Sequence, residues 1–212
     1  MRSAFLMIAV VFIAAGTILF MGAQGSAMVK GDDLMSTKPT GYPVATFAGG
    51  CFWCTESEFR ALPGVLFTEV GYMGGALENP SYRDITTGET GHAEVIQITY
   101  DGEKTSFSNL VDFFLTKAHD PTQLNRQGVD VGTQYRSAIF YHDDEQKKIG
   151  ADWIKKLDAS GRFKKPITTT LEEADTFWMG EDYHQQYYEK YEEENGKQHI
   201  RVVLKQAKKL KP

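Results

Sequence analysis

Cysteine is scarce in this chain: only Cys51 and Cys54 occur among its 212 residues. A disulfide across so short a loop removes little entropy from the unfolded chain, which argues against a role in bulk stability. A zinc site would need a second pair of ligands, but there is no further cysteine and the histidines lack ligand-like spacing. A covalent haem site would need histidine directly after the second cysteine, where Thr55 stands. The spacing favours two sulfurs that cycle between dithiol and disulfide, with inert buried thiols as the alternative.

Positive charge is not in excess: the net charge is -5 and both signs are interspersed. The sequence therefore has no basic stripe of the kind that indicates a nucleic-acid partner. Low-complexity segments and internal repeats are also absent, and 42% of the residues are hydrophobic, which indicates a globular protein with a well-supplied core. The length predicts one domain with an appendage.

The appendage is at the N-terminus, where residues 4–21 contain no charged residue and follow Arg2. This pattern predicts an export signal over residues 1–27. The small residues that offer cleavage sites are Ala23, Gly25 and Ala27. Because the apolar run exceeds the about 7–15 residues of a signal core and approaches the about 18–20 that span a bilayer, a retained membrane anchor is the alternative. Both predict a periplasmic or other extracytoplasmic location, with a polar linker over 28–43 and the folded domain over 44–212.

Apolar periodicity and turn residues predict strands alternating with helices in this domain. The predicted strands are 44–48, 65–73, 92–100, 135–141 and 166–171, and the predicted helices are 53–62, 105–118, 143–159 and 182–194. The segments 74–91 and 122–134 are long loops, which in a compact domain are usually functional or disordered. The pattern predicts one α+β or α/β domain, a sheet with helices on it.

Cys51 lies between the Gly49-Gly50 turn and the predicted helix 53–62. Unpaired backbone N–H groups and the dipole at a helix N-terminus favour the thiolate, so Cys51 is predicted to be reactive. Phe52 and Trp53 flank the thiol and would line an apolar pocket, with core packing as the alternative.

Glu94 is the strand residue that most needs a role. Period-two alternation places it on the same face as Ile96 and Ile98. A carboxyl group on an apolar face has a raised pKa, which would make it a proton donor; the alternative is a frayed strand end with Glu94 solvated. Tyr82 and Tyr135 lie where a loop meets a regular element, so their phenols could donate to a substrate oxygen, although taken alone packing is the simpler explanation.

Four separated motifs carry a resemblance to a known family. They are Gly50-Cys51-Phe52-Trp53, Gly91-His92-Ala93-Glu94, Gly132-Thr133-Gln134-Tyr135-Arg136-Ser137 and Asp182-Tyr183-His184-Gln185-Gln186-Tyr187. Together they resemble the A-type peptide-methionine (S)-S-oxide reductases, in the family's order. The resemblance implies the family's two-layer α/β sandwich, related to a ferredoxin-like plait with long loops around a mixed sheet.

The resemblance also implies roles for the candidate residues. Cys51 would attack the sulfoxide sulfur and Glu94 would protonate the sulfoxide oxygen, which needs no cofactor and no metal. Tyr82 and Tyr135 would hold that oxygen, and Phe52 and Trp53 would surround the methyl group. Asp130 and His184 would border the site. The substrate would be methionine sulfoxide, free or in oxidised proteins, and we expect a monomer.

The sequence departs from the family pattern at position 54, where many members carry glycine and resolve the sulfenic acid with cysteines near the C-terminus. The C-terminal region here has no cysteine, so Cys54 is the intramolecular resolver that the resemblance leaves. We expect a Cys51–Cys54 disulfide that a thioredoxin-like donor reduces, and in an exported protein that donor would have to be fed through the membrane.

Two other functions remain open. A thiol–disulfide oxidoreductase of the thioredoxin class also combines a signal or anchor with a Cys-x-x-Cys pair. Against it, Trp53 lies inside the pair and no proline-initiated strand is suitably placed downstream. An envelope binding protein would use the surface lined by tyrosine and tryptophan to hold a ligand, with the cysteines as a structural clip.

Overall fold

A computed structural model of the chain describes residues 37–199, in which helices pack on a mixed six-stranded sheet. The predicted export segment 1–27 and the linker residues 28–36 lie outside the described residues. Within residues 37–199, no helix is long and apolar enough to cross a membrane. The domain boundaries at residues 27 and 43 stay predictions.

The strands follow the predicted positions closely in the first half of the domain. The eight strands of the described residues are β1 Val44–Gly49, β2 Val65–Met73, β3 Ala93–Tyr100, β4 Arg126–Gln127, β5 Asp130–Val131, β6 Ser137–Tyr141, β7 Thr170–Glu173 and β8 Trp178–Met179. The helices are α1 Phe52–Arg60, α2 Tyr82–Ile85, α3 Phe107–Phe113, α4 Asp144–Ala159 and α5 Tyr187–Asn195, with a π-helical turn at Phe114–Ala118 and a 3-10 turn at Thr133–Tyr135. The two predicted long loops therefore contain α2 and the β4–β5 hairpin.

The main sheet has the strand order β7-β6-β1-β3-β2-β8. Its neighbouring pairs are antiparallel except β6 and β7, so the sheet is mixed, as the resemblance implied. β3 lies between β1 and β2, the two strands that α1 connects. The relation to a ferredoxin-like plait stays a prediction.

Alternation along the strands decides which face of the sheet carries the helices. Phe47 of β1 is fully buried, and its ring centroid lies 4.8 Å from that of Phe114. Ile96 and Ile98 of β3 join the same cluster, together with residues of α1, α3 and α4. On the opposite face, Phe177 from the segment between β7 and β8 covers a second cluster. Burying one such side chain contributes about 1.5–3 kcal/mol, so these contacts fix β1 and β3 firmly where the site begins.

The predicted helix 105–118 is interrupted, because α3 ends at Phe113 and a π-helical turn follows. The Phe114 carbonyl accepts a hydrogen bond from Nδ1 of His119 at 2.8 Å. Burial lowers the pKa of His119 to about 4, so the ring is neutral and its Nε2 accepts from the Ser137 hydroxyl at 2.6 Å. These tertiary hydrogen bonds anchor the end of the helix in a form that local periodicity does not predict.

Two predictions in the last third of the chain were wrong in position. The strand predicted at 166–171 lies at Thr170–Glu173, and the helix predicted at 182–194 begins at Tyr187. Gln186 has φ +48°, which is outside the helical region, and the Gln185 amide binds the backbone N–H and C=O of Val70 at 2.9 and 2.8 Å. Bonds to β2 therefore replace the first turn of the predicted helix.

Candidate active site

The turn after β1 places Cys51 directly before the first residue of α1. Gly50 has φ +87°, and a Cβ there would come within 2.4 Å of the Cβ of Gln127, so this position requires glycine. Cys51 is the N-cap of α1, and its carbonyl accepts from the backbone N–H of Cys54 at 3.0 Å and of Thr55 at 3.2 Å. One turn of helix therefore separates the two thiols, which are partly buried and not joined by a disulfide.

Glu94 lies directly behind the start of α1. Its side chain is 2% exposed, and its Oε2 accepts a hydrogen bond from the backbone N–H of Phe52 at 3.0 Å. Burial raises the pKa of Glu94 to about 8, and the charge of Asp130 adds to the shift, while the Phe52 N–H opposes it. The prediction of a buried carboxyl group is confirmed, and the solvated alternative is wrong. At neutral pH most of Glu94 is protonated.

The prediction that the helix N-terminus stabilises a Cys51 thiolate is wrong, because the site raises the pKa of this thiol. The hydrogen bond with Cys54 and burial raise the pKa of Cys51 well above its usual value, and the Glu94 charge contributes in the same direction. A helix N-terminus favours an anion by only about 0.3–1 kcal/mol, which these effects outweigh. Cys51 therefore rests as a thiol beside Cys54 in the substrate-free site.

Two phenols stand close to the Glu94 carboxyl group. Tyr82 opens α2, where Ser81 and Asp84 form a capping box, and Tyr135 ends the 3-10 turn before β6. The two hydroxyls hydrogen-bond each other, and burial followed by the Glu94 charge raises the pKa of both Tyr82 and Tyr135. Both phenols are therefore protonated at neutral pH and can donate a hydrogen bond.

Aromatic rings close the side of the site next to Cys51. Phe52 is 1% exposed, and its ring centroid lies 4.8 Å from that of His184 and 6.4 Å from that of Tyr82. Trp53 donates its Nε1–H to Nδ1 of His184 at 2.9 Å and stacks on Tyr187 with the ring centroids 3.7 Å apart. The result is an apolar wall that suits a methyl–sulfur group, since thioether sulfur packs favourably against aromatic rings.

The site thus combines a thiol, a buried acid, two phenols and an aromatic wall, which is the equipment expected from the four motifs. A sequence model of the family described as "Peptide methionine sulfoxide reductase" matches residues 43–212. The "Peptide methionine sulfoxide reductase MsrA" of Methanothermobacter thermautotrophicus is 55% identical over 149 residues, which cover 70% of this chain and 88% of that protein. The chain belongs to the peptide methionine sulfoxide reductase family.

Solved structures agree with this family membership. Methionine sulfoxide reductase A of Corynebacterium diphtheriae is similar with a TM-score of 0.63 and 40% identity, over 72% of this chain and 76% of that chain. Mxr1 from Saccharomyces cerevisiae in complex with Trx2 is similar with a TM-score of 0.50 and 25% identity, over 72% of this chain and 91% of that chain.

His184 is a neutral, fully buried member of this reductase site. Because the Trp53 N–H can only donate, Nδ1 of His184 accepts and the ring proton lies on Nε2. Burial lowers the pKa of His184 to about 4. Its Nε2 lies 3.6 Å from Oε2 of Glu181, which is too long for a hydrogen bond, and has no other partner within residues 37–199. His184 therefore holds the Trp53 ring in place and presents a polar edge inside the aromatic wall.

Asp130 lies on β5, in the hairpin beside the site. Its negative charge raises the pKa of Glu94 and of Tyr135, so the structure brings it near both groups. Within the described part of the chain, no three His, Cys, Asp or Glu side chains are arranged to hold a metal ion. All nine candidate residues thus lie in or beside one site at the N-terminal end of α1.

Sequence reasoning missed the residues that fasten the C-terminal segment to this site. Glu181 accepts from the Tyr72 hydroxyl at 2.7 Å and from the backbone N–H of Tyr82 at 2.8 Å. Glu56 of α1 is 1% exposed and accepts from the backbone N–H of Gln186 at 2.8 Å and from its side-chain amide at 2.9 Å. No periodic pattern marks these residues, because their partners lie more than 90 positions away in sequence.

We expect Glu56→Gln to destabilise the fold more at pH 5 than at pH 8. Burial raises the pKa of Glu56 from 4.5 to about 7, so its contribution to stability is present below 4.5 and is lost as the pH rises through about 7. Glutamine has no such dependence, and the destabilisation should shrink by about 3 kcal/mol across that window. Urea denaturation of the reduced protein at the two pH values measures it, with Glu58→Gln on the same helix as the matched control. A loss of stability that does not change with pH would contradict the buried, protonated state of Glu56.

Proposed function

We propose that this chain reduces the S epimer of methionine sulfoxide to methionine, with Cys51 as nucleophile and Glu94 as general acid. The observation that carries the proposal is the buried Glu94 carboxyl group, which is protonated at neutral pH and hydrogen-bonded to the residue after Cys51. A sulfoxide oxygen leaves poorly unless it is protonated while sulfur is attacked, so a thiol and an adjacent acid are the minimum equipment.

The first step transfers the sulfoxide oxygen to Cys51. After its thiol has lost a proton, the Cys51 sulfur supplies an electron pair to the sulfoxide sulfur, while Glu94 gives a proton to the oxygen and the Tyr82 and Tyr135 phenols donate hydrogen bonds to it. The resulting hydroxyl group then passes to Cys51: an S–O bond forms on the Cys51 sulfur as the bonds from the substrate sulfur to oxygen and to Cys51 break, and the thioether leaves. In total, a thiol and a sulfoxide become a sulfenic acid on Cys51 and a thioether, so atoms and electrons balance. The Phe52 and Trp53 rings hold the methyl group of the substrate.

The second step uses Cys54. Its thiol attacks the Cys51 sulfenic acid, water leaves, and a Cys51–Cys54 disulfide forms within the first turn of α1. A thioredoxin-like protein then reduces this disulfide, which is supported by the solved complex of the yeast relative Mxr1 with Trx2. Substrates would be oxidised proteins as well as the free amino acid.

Turnover of the two sulfoxide epimers, assayed separately with dithiothreitol, tests this function. We expect only the S epimer to be reduced, because the R epimer would place its oxygen against the aromatic wall and leave that polar atom unpaired. Comparable kcat/KM for both epimers would contradict the geometry. Insulin reduction without sulfoxide turnover would instead support a thioredoxin-class oxidoreductase.

The location is a further part of the proposal. The uncharged run 4–21 supports export to an extracytoplasmic compartment such as the periplasm, with residues 1–27 either cleaved or kept as an anchor. Cell fractionation with N-terminal sequencing of the recovered protein separates these outcomes. The protein is expected to be a monomer, which light scattering of the purified chain checks.

A further inference from the structure

One polar contact beside the thiols has no part in the mechanism described above. The hydroxyl of Tyr188 lies 3.2 Å from Sγ of Cys54. Tyr188 belongs to α5 and is 3% exposed, so its hydroxyl is a buried polar group whose hydrogen bond is made to a sulfur. Glu56 fixes this geometry, since it binds the backbone and side chain of Gln186, the N-cap residue of α5.

We propose that Tyr188 is a positioning residue for the resolving thiol: its O–H donates to the Cys54 thiolate and holds that sulfur toward the sulfenic acid on Cys51. The proposal deepens the proposed function and rests on Cys54 as the resolver. A thiol can donate to or accept from a phenol, but a thiolate can only accept, so ionisation of Cys54 fixes Tyr188 as the donor.

The charges around Cys54 explain why such a donor is needed. The titratable neighbours of Cys54 include Cys51, Glu94 and Tyr188 itself, and the charges on Glu94 and Cys54 disfavour each other. In the first step Glu94 gives away its proton, so a carboxylate stands near Cys54 when the thiolate must form. The Tyr188 phenol is a neutral neighbour of the Cys54 sulfur, supplied by α5, where the rings of Tyr187 and His199 pack against it. Its hydrogen bond stabilises the Cys54 thiolate against repulsion from the Glu94 carboxylate while the disulfide forms.

The resolving step balances without any proton from Tyr188. The Cys54 thiol loses its proton, its sulfur attacks the Cys51 sulfur, the S–S bond forms and the S–O bond breaks. The departing hydroxide takes up one proton, so one thiol and one sulfenic acid give one disulfide and one water. A disulfide sulfur is a poor acceptor, so the hydrogen bond from Tyr188 is lost when the bond forms.

The expected effect of removing the hydroxyl changes sign with pH. Loss of a hydrogen bond to the thiolate raises the pKa of Cys54 and lowers its thiolate fraction about ten- to a hundredfold where the thiol predominates. The higher pKa also makes each remaining thiolate a stronger nucleophile, with a Brønsted coefficient of about 0.4–0.5, which offsets part of the loss. Where Cys54 is mostly a thiol, Tyr188→Phe should therefore slow resolution about three- to tenfold. Where Cys54 is fully ionised in both proteins, the variant should exceed the unmodified protein, because the thiolate of higher pKa is the stronger nucleophile.

The experiment mixes reduced full-length protein with one equivalent of the S sulfoxide across a pH series. Released methionine reports the first step, and loss of a sulfenic-acid label together with loss of free thiols reports the second. We expect Tyr188→Phe to leave the methionine step unchanged and to move the midpoint of the resolving rate upward in pH, so that its profile crosses that of the unmodified protein. Tyr191→Phe, the same change on the same helix, is the matched control and should change neither step.

Two results would overturn the role of Tyr188. One is a resolving rate in Tyr188→Phe that equals the unmodified rate at every pH. The other is a slowing by a constant factor at all pH values, which indicates a structural role. A methionine step as fast as in the unmodified protein shows that the variant is folded. Failure of the unmodified protein to release methionine would count against the proposed function and not against the hydrogen bond.

Discussion

Cys51→Ser is expected to abolish sulfoxide reduction, so that methionine release falls to the rate of dithiothreitol alone. Cys54 is the other cysteine of the chain, but it lies one turn further along α1, and its sulfur lies 3.2 Å from the hydroxyl of Tyr188. A serine hydroxyl is a weak nucleophile for sulfur and has no counterpart of the sulfenic acid. Methionine release with excess S sulfoxide, measured with and without the variant, checks the result.

Cys54→Ser is the matched control for this loss, because it changes the other cysteine in the same way. The variant should release about one equivalent of methionine at the unmodified rate and then stall with Cys51 as a sulfenic acid. A small thiol should restart it by reducing that sulfenic acid directly, whereas a thioredoxin should not. Sustained thioredoxin-driven turnover by Cys54→Ser would remove Cys54 from the resolving role.

The strands could be predicted because their apolar pattern is local. β2 lies at the predicted residues, and β3 begins one residue after the predicted start, since alternation and the flanking glycines define both. The same alternation placed Glu94 on the helix-bearing face with Ile96 and Ile98. The structure buries Glu94 in agreement with this local pattern, and that burial raises its pKa to about 8.

Other features depend on partners that are far away in sequence. The helix N-terminus alone predicts a stabilised Cys51 thiolate, but the Cys54 thiol and burial reverse the direction of the pKa shift. Residues 182–186 have helical periodicity, yet the bonds of Gln185 to β2 and of Gln186 to Glu56 pull them out of the helix. The contact of Tyr188 with Cys54 joins residues 134 positions apart and has no signal in the sequence.

Glu94→Gln is expected to slow the single-turnover release of methionine about 10²–10⁴-fold, with little change in substrate affinity. The amide keeps a hydrogen-bonding group of the same size but has no proton to transfer. Single-turnover conditions are needed because slow reduction of the disulfide would otherwise hide a defect in the chemical step. Glu69→Gln, the same change on the neighbouring strand β2 where the carboxylate pairs with Lys38, is the matched control and should leave the rate unchanged.

The pH profile gives this prediction a second, independent readout. The acid form of Glu94 is present below its pKa of about 8, while burial and Cys54 hold the Cys51 thiol protonated over the same range. The rate of the unmodified protein should therefore rise with pH as the thiolate forms and fall again as Glu94 ionises. In Glu94→Gln the falling limb should disappear, because glutamine stays neutral and neither donates a proton nor repels the thiolate. An unaltered rate and profile in this variant would mean that the proton comes from a tyrosine or from water.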